Sequence, residues 1–127
     1  MAISVGLISR SDILRDALSA SLGARGFKVR YFESAKVLAS RDAVEQMDCV
    51  ILDLNGSGRR TLGSAELDPR ELRSLGVTRP IVVLTDELGA PATIQTRVLR
   101  LQKPIDPLLL SHTIHQISLV TAKAAHP

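Results

Sequence analysis

Four short apolar runs constrain this chain more than any other feature: ISVGLI at 3–8, CVILDL at 49–54, PIVVLT at 80–85 and VLRLQ at 98–102. Each is built from Val, Ile and Leu, and the hydrophobicity is continuous rather than alternating, the mark of strands covered on both faces. FKVRYF at 27–32 alternates instead, as an edge strand with one wetter face does. Helix signals fill the intervals. Ser11 is placed to cap a helix carrying Ile13, Leu14, Ala17, Leu18 and Leu22 on one face, ended by Gly23 to Gly26. Ser34 starts a second, with Val37, Leu38 and Val44 pointing inward. DPRE at 68–71 puts a cap at Asp68, proline at the first helical position and Glu71 three residues after the cap. Asp106-Pro107 repeats the device for the last helix. Strands alternating with helices imply parallel βαβ units with right-handed crossovers and helices on both faces. The expected class is α/β, a (βα)5 doubly wound five-stranded parallel sheet in three layers.

At 127 residues the chain fits one domain. Residues 1–121 are expected to form it, with 122–127 as a C-terminal tail. Apolar residues make up 45% of the chain and aromatics 2%, so the core must be aliphatic. The net charge of +3 comes from scattered Lys and Arg with few aromatics to stack bases, so nucleic acid is not an expected partner of this domain. The single cysteine, Cys49, lies inside an apolar run and excludes a disulfide framework. No apolar stretch approaches the roughly 18 to 20 residues of a membrane span, and no membrane partner is expected. A reduced, cytoplasmic setting is the expectation.

In such a sheet the carboxyl ends of the strands converge on one crevice, where ligands bind. The residues delivered there are Ser9 and Arg10, then Asp53, then Thr85 and Asp86, then Lys103-Pro104. Asp53, Thr85 and Lys103 are separated by 32 and 18 residues. With CVILDLNGSG, PIVVLTD and LQKPID around them, this ordered set resembles the receiver domain of bacterial response regulators, the flavodoxin-like fold of CheY-like proteins. The resemblance runs from Ile3 to about Val120. It implies a phosphoacceptor position at Asp53, fed by a histidine kinase, and phosphoryl-contact positions at Thr85 and Lys103. It also implies a Mg²⁺ site made by two acidic residues after the first strand, with the backbone of Asn55 as a further contact.

This chain departs from that pattern where the metal would bind. The two acidic positions are held by Ser9 and Arg10. Mg²⁺ is a hard cation that is usually held through carboxylates, so these residues replace the metal site and neither a metal nor another cofactor is expected. The usual three carboxylates, one Mg²⁺ and one Lys sum to zero, whereas Asp53, Arg10 and Lys103 sum to +1 with no metal. Phosphoryl transfer rests on positioning and on neutralising oxygen charge. Arg10 could stand in for the metal, since its planar fork matches phosphate, or clamp Asp53 and silence it. An ion pair about 4 Å apart attracts by roughly 4 kcal/mol at an effective dielectric near 20, before desolvation takes much of it back, and the clamp is the favoured reading. Asp12 is read as serving the helix dipole rather than the site.

Other positions point the same way. Arg100 stands where receivers commonly carry an aromatic toggle three residues before the lysine. The interval from Thr85 to Lys103 is about one helical turn short and contains Pro91, so the helix between those strands should be stunted. Gly56-Ser57-Gly58 stands in place of Met-Pro after the aspartate. His112 and His115, a turn apart, are read as surface or interface residues rather than metal ligands. GSGRR at 56–60 lacks the Lys-Ser/Thr of a phosphate-binding loop. Ser9 and Ser11 have no base partner in sequence reach, so hydrolase chemistry is not expected.

The resulting expectation is a non-enzymatic, Mg²⁺-independent pseudo-receiver in two-component-type signalling. It would act on a protein partner, a histidine kinase or an output protein. A homodimer through the fourth helix, fifth strand and fifth helix is a further expectation. The alternatives are phosphorylation of Asp53 with Arg10 replacing the metal, and sensing of an anionic small molecule such as a cyclic nucleotide.

Overall fold

The computed structural model describes residues 2–53, 69–85 and 97–125. Expectations about Asn55, the 56–60 loop, the cap at Asp68, Asp86 and the helix around Pro91 fall outside those residues. The described elements are β1 (Ser4–Ile8), α1 (Asp12–Ala24), β2 (Lys28–Phe32), α2 (Ala35–Leu38), α3 (Arg41–Glu45), β3 (Cys49–Asp53), α4 (Pro69–Ser74), β4 (Ile81–Thr85), β5 (Val98–Gln102) and α5 (Pro107–Ala125). The five strands form one parallel sheet in the order β2-β1-β3-β4-β5. The expected five-stranded parallel sheet is therefore present, and the helix expected between β4 and β5 lies outside the described residues. α5 continues through Ala125, so the first four residues of the expected tail are helical.

Strand periodicity divides the core in two. Val5, Leu7, Cys49, Ile51, Val82 and Leu84 face α1 and α5, meeting Leu18, Leu22, Leu110 and Ile114. Ile8, Val50, Leu52, Ile81 and Val83 face the other side, against Leu38, Met47 and Leu72. β3 and β4 are wholly buried, as their unbroken apolar runs require. Cys49 is fully buried, and burial pushes its thiol up to about 12, so it is an inert core group. Gly6 lies on the α2 side of β1, where a Cβ would sit 3.0 Å from Leu38 Cδ1 and 3.1 Å from Met47 Sδ.

The caps read from sequence are present at three helices. Ser11 Oγ accepts the Leu14 N–H at 3.2 Å, Ser34 Oγ accepts that of Val37 at 3.3 Å, and Asp106 Oδ1 accepts that of Leu108 at 3.0 Å. Gly26 follows α1 with φ of 91°, and the Phe27 N–H closes back on the Leu22 carbonyl at 3.1 Å, which turns the chain into β2.

Three packing expectations are corrected. Ile13 and Ala17 point outward, Ile13 being 85% exposed, because the buried stripe of α1 is the narrow i, i+4 row of Leu14, Leu18 and Leu22. The second helix divides into α2 and α3 at Ser40, whose ψ of 140° is extended, and Val37 is consequently turned to solvent. β5 is not covered on both faces. As the outer strand beside β4 it buries Val98, while Leu99, Arg100 and Leu101 are half-buried.

Candidate functional site

The parallel register brings three strand ends to one level. Ile8 pairs with Leu52, Asp53 with Leu84, and Thr85 with Gln102, so Ser9 emerges beside Asp53 and Lys103 emerges just past Thr85. The Lys103 N–H donates to the Thr85 carbonyl at 2.8 Å, which extends the β4–β5 ladder to the lysine; the Lys103-Pro104 peptide is cis. Asp53, Thr85 and Ser9 are 1%, 3% and 4% exposed. The site is thus a buried polar island at the carboxyl edge of an otherwise aliphatic sheet.

Within it, Asp53 is held from two sides. Ser9 Oγ donates to Asp53 Oδ2 at 2.6 Å, and Lys103 Nζ lies 2.5 Å from Asp53 Oδ1. The lysine contact is charge pairing without hydrogen-bond alignment, so Oδ1 has no aligned donor. Two charges removed from water must be paired to be tolerated, and the aspartate is the more deeply buried of the two, since the Lys103 side chain keeps 18% of its surface. Asp53, Thr85 and Lys103 therefore lie at one edge of the sheet, each at or just past a strand end.

The clamp expected of Arg10 is not what holds Asp53. Among the described residues the ion pair on Asp53 is made by Lys103, and the Arg10 residue is exposed. Ser9, the residue just after β1, is buried, and its hydroxyl reaches the carboxylate. The next residue is carried outward, so of the two replacements at the acidic pair the small neutral one engages the aspartate. In the sequence alone Ser9 registers only as a missing carboxylate. The cue to its role is size and chemistry, since a one-carbon hydroxyl beside a buried carboxylate is a ready donor.

Two further residues support the site. Ser9 Oγ accepts the Ser11 N–H at 3.1 Å, and the Ser9 carbonyl accepts the Tyr31 hydroxyl at 3.3 Å. The Arg15 guanidinium stacks over the Tyr31 ring, 4.7 Å from its centroid. Asp12 is exposed and pairs with Arg15 at 3.3 Å in the first turn of α1, in keeping with a helix-end role. His112 and His115 are exposed, and His115 packs on Phe27 with ring centroids 5.0 Å apart.

The donor set does not fit a divalent cation. One carboxylate oxygen of Asp53 accepts a hydroxyl proton and the other faces an ammonium. Among the described residues no group of three or more His, Cys, Asp or Glu side chains is placed to hold a metal ion. A hard cation there would find one carboxylate among the described residues, with its oxygens already facing a hydroxyl and an ammonium.

No family model matches the chain. It is 26% identical over 96 residues to the C4-dicarboxylate transport transcriptional regulatory protein DctR of Rhodobacter capsulatus, covering 76% of this chain and 48% of that protein. The chain thus spans about half the length of this curated relative. Among solved structures, the response regulator StyR superposes with a TM-score of 0.75 at 23% identity, over 98% of this chain and 63% of that one. A CheY-like response regulator receiver domain from Methylobacillus flagellatus gives 0.70 at 19% identity, over 92% of this chain and 99% of that one. With its strand order, its buried strand-end aspartate and these neighbours, the chain has the CheY-like fold of response-regulator receiver domains.

Proposed function

We propose that this chain is a receiver module of two-component-type signalling that works through contact with a protein partner, a kinase or an output protein, and not through Mg²⁺-dependent phosphorylation. One observation carries the reading. The Asp53 carboxylate is closed off by the Ser9 hydroxyl on Oδ2 and by Lys103 on Oδ1. A nucleophilic carboxylate needs a free lone pair and a cation to neutralise the transferring oxygens. Here Oδ2 accepts the Ser9 hydroxyl, Oδ1 faces the Lys103 ammonium, and the two positions where acidic residues would hold the cation are occupied by Ser9 and Arg10. Apolar side chains are available for a partner, with Leu108 and Leu109 on the first turn of α5 exposed at 66% and 51%. Part of the surface invoked for a homodimer, the segment between β4 and β5, falls outside the described residues. No described helix is long and apolar enough to cross a membrane.

The test is incubation with acetyl phosphate, with and without Mg²⁺, followed by intact-mass analysis. The expected spectrum shows the unmodified chain in both arms. An acyl phosphate on Asp53 formed equally well without Mg²⁺, and lost in Arg10→Ala, would replace this reading by the one in which the guanidinium serves as the cation.

A further inference from the structure

The Ser9 hydroxyl has one proton and two acceptors in reach, Asp53 Oδ2 at 2.6 Å and the Ser11 carbonyl at 3.2 Å. The proton goes to the carboxylate, because a charged acceptor at the shorter distance makes the stronger bond. Its lone pairs meanwhile accept the Ser11 N–H. The alternative acceptor is not idle: the Ser11 carbonyl receives the Arg15 N–H at 2.9 Å, the opening hydrogen bond of α1, and the Ser11 hydroxyl caps the same helix at Leu14. The hydroxyl rotor therefore has two discrete settings, one serving Asp53 and one serving the start of α1.

We propose that Ser9 is a positioning residue that couples the chemical state of the Asp53 carboxylate to the first turn of α1. The inference is independent of how, or whether, Asp53 is phosphorylated. It follows from which atom must face Lys103. If one carboxylate oxygen is replaced by a donor, the ammonium keeps the remaining oxygen and the new donor faces Ser9. Ser9 Oγ must then accept, and its proton turns to the Ser11 carbonyl, where it competes with the Arg15 N–H. The same rotation follows any change that removes the acceptor at Oδ2. The effect reaches the surface through Arg15, whose guanidinium lies on Tyr31, and Tyr31 returns its hydroxyl to the Ser9 carbonyl. The loop of contacts links a buried carboxylate to the edge strand β2 and to α1, on the side of the sheet away from β5.

Asp53→Asn makes that replacement with the least change of shape. Amide hydrogen exchange of the ¹⁵N-labelled full chain is the measurement, read at Arg15 and Ser11. In Asp53→Asn the Arg15 amide should exchange about fivefold faster than in the wild type, the loss expected of one weakened backbone hydrogen bond. In Ser9→Ala/Asp53→Asn it should match Ser9→Ala alone, since the rotor is gone. A purely structural effect of Asp53 would act in both backgrounds alike. Should the Asp53 variant fail to fold, Ser9→Ala and Ser9→Thr carry the test: the Ser11 amide should exchange about fivefold faster in the first and recover in the second, which keeps the hydroxyl. An Arg15 amide unmoved by Asp53→Asn, or moved equally with and without Ser9, overturns the proposal. So does a Ser11 amide indifferent to Ser9→Ala.

Discussion

Replacing Lys103 by methionine will destabilise the fold by about 3–5 kcal/mol, the usual cost of leaving a buried charge without its partner. Methionine keeps the length of the aliphatic stem, so the loss is one of charge and not of packing. Asp53 is 1% exposed, and the hydroxyl of Ser9 alone cannot offset its desolvation. The converse change, Asp53→Asn, should cost less, because the Lys103 side chain retains 18% of its surface and can turn its ammonium towards water. The double variant Lys103→Met/Asp53→Leu should recover most of the loss, since an apolar pair of similar volume removes both charges together. Urea denaturation at neutral pH measures all three. A Lys103→Met variant within 1 kcal/mol of wild type would mean that the pair does not hold Asp53.

Two glycines will respond to alanine with opposite signs. Gly6→Ala will destabilise by about 1–3 kcal/mol, because its new methyl would stand 3.0 Å from Leu38 Cδ1, 3.1 Å from Met47 Sδ and 3.3 Å from Phe32 Cε2 at once. Three side chains of the close-packed α2 face would have to shift together. Gly23→Ala in α1 meets nothing within 4 Å and should stabilise by about 0.5 kcal/mol through helix propensity and a stiffer unfolded chain. Thermal denaturation should place the two midpoints on either side of the wild type, several degrees apart. A Gly6→Ala protein as stable as its parent would show that the α2 face is looser than its packing implies.

Much of this arrangement was legible in the residues, for local reasons. Val, Ile and Leu runs mark β1, β3 and β4 because a parallel strand covered on both faces buries successive side chains on either side. Ser11, Ser34 and Asp106 announce helix starts because their oxygens satisfy orphan N–H groups. Asp53, Thr85 and Lys103 were traceable to one edge because each ends a strand. What sequence could not supply depends on neighbours brought in from far along the chain. Ile13 fits a helical stripe as well as Leu14 does, and only the position of the sheet decides between them. VLRLQ reads as buried until the strand order puts β5 outermost. Arg10 carries the conspicuous charge, yet the strand's pleat turns Ser9 towards Asp53 and leaves the arginine exposed.

A pocket whose only carboxylate among the described residues already faces the Ser9 hydroxyl and the Lys103 ammonium should not take up a divalent cation. Titrating the ¹⁵N-labelled chain with Mg²⁺ while following the Ser9, Asp53 and Lys103 amides tests it most directly. The resonances should stay in place, or drift linearly with ionic strength, through millimolar Mg²⁺. Saturable shifts confined to those three amides would contradict it.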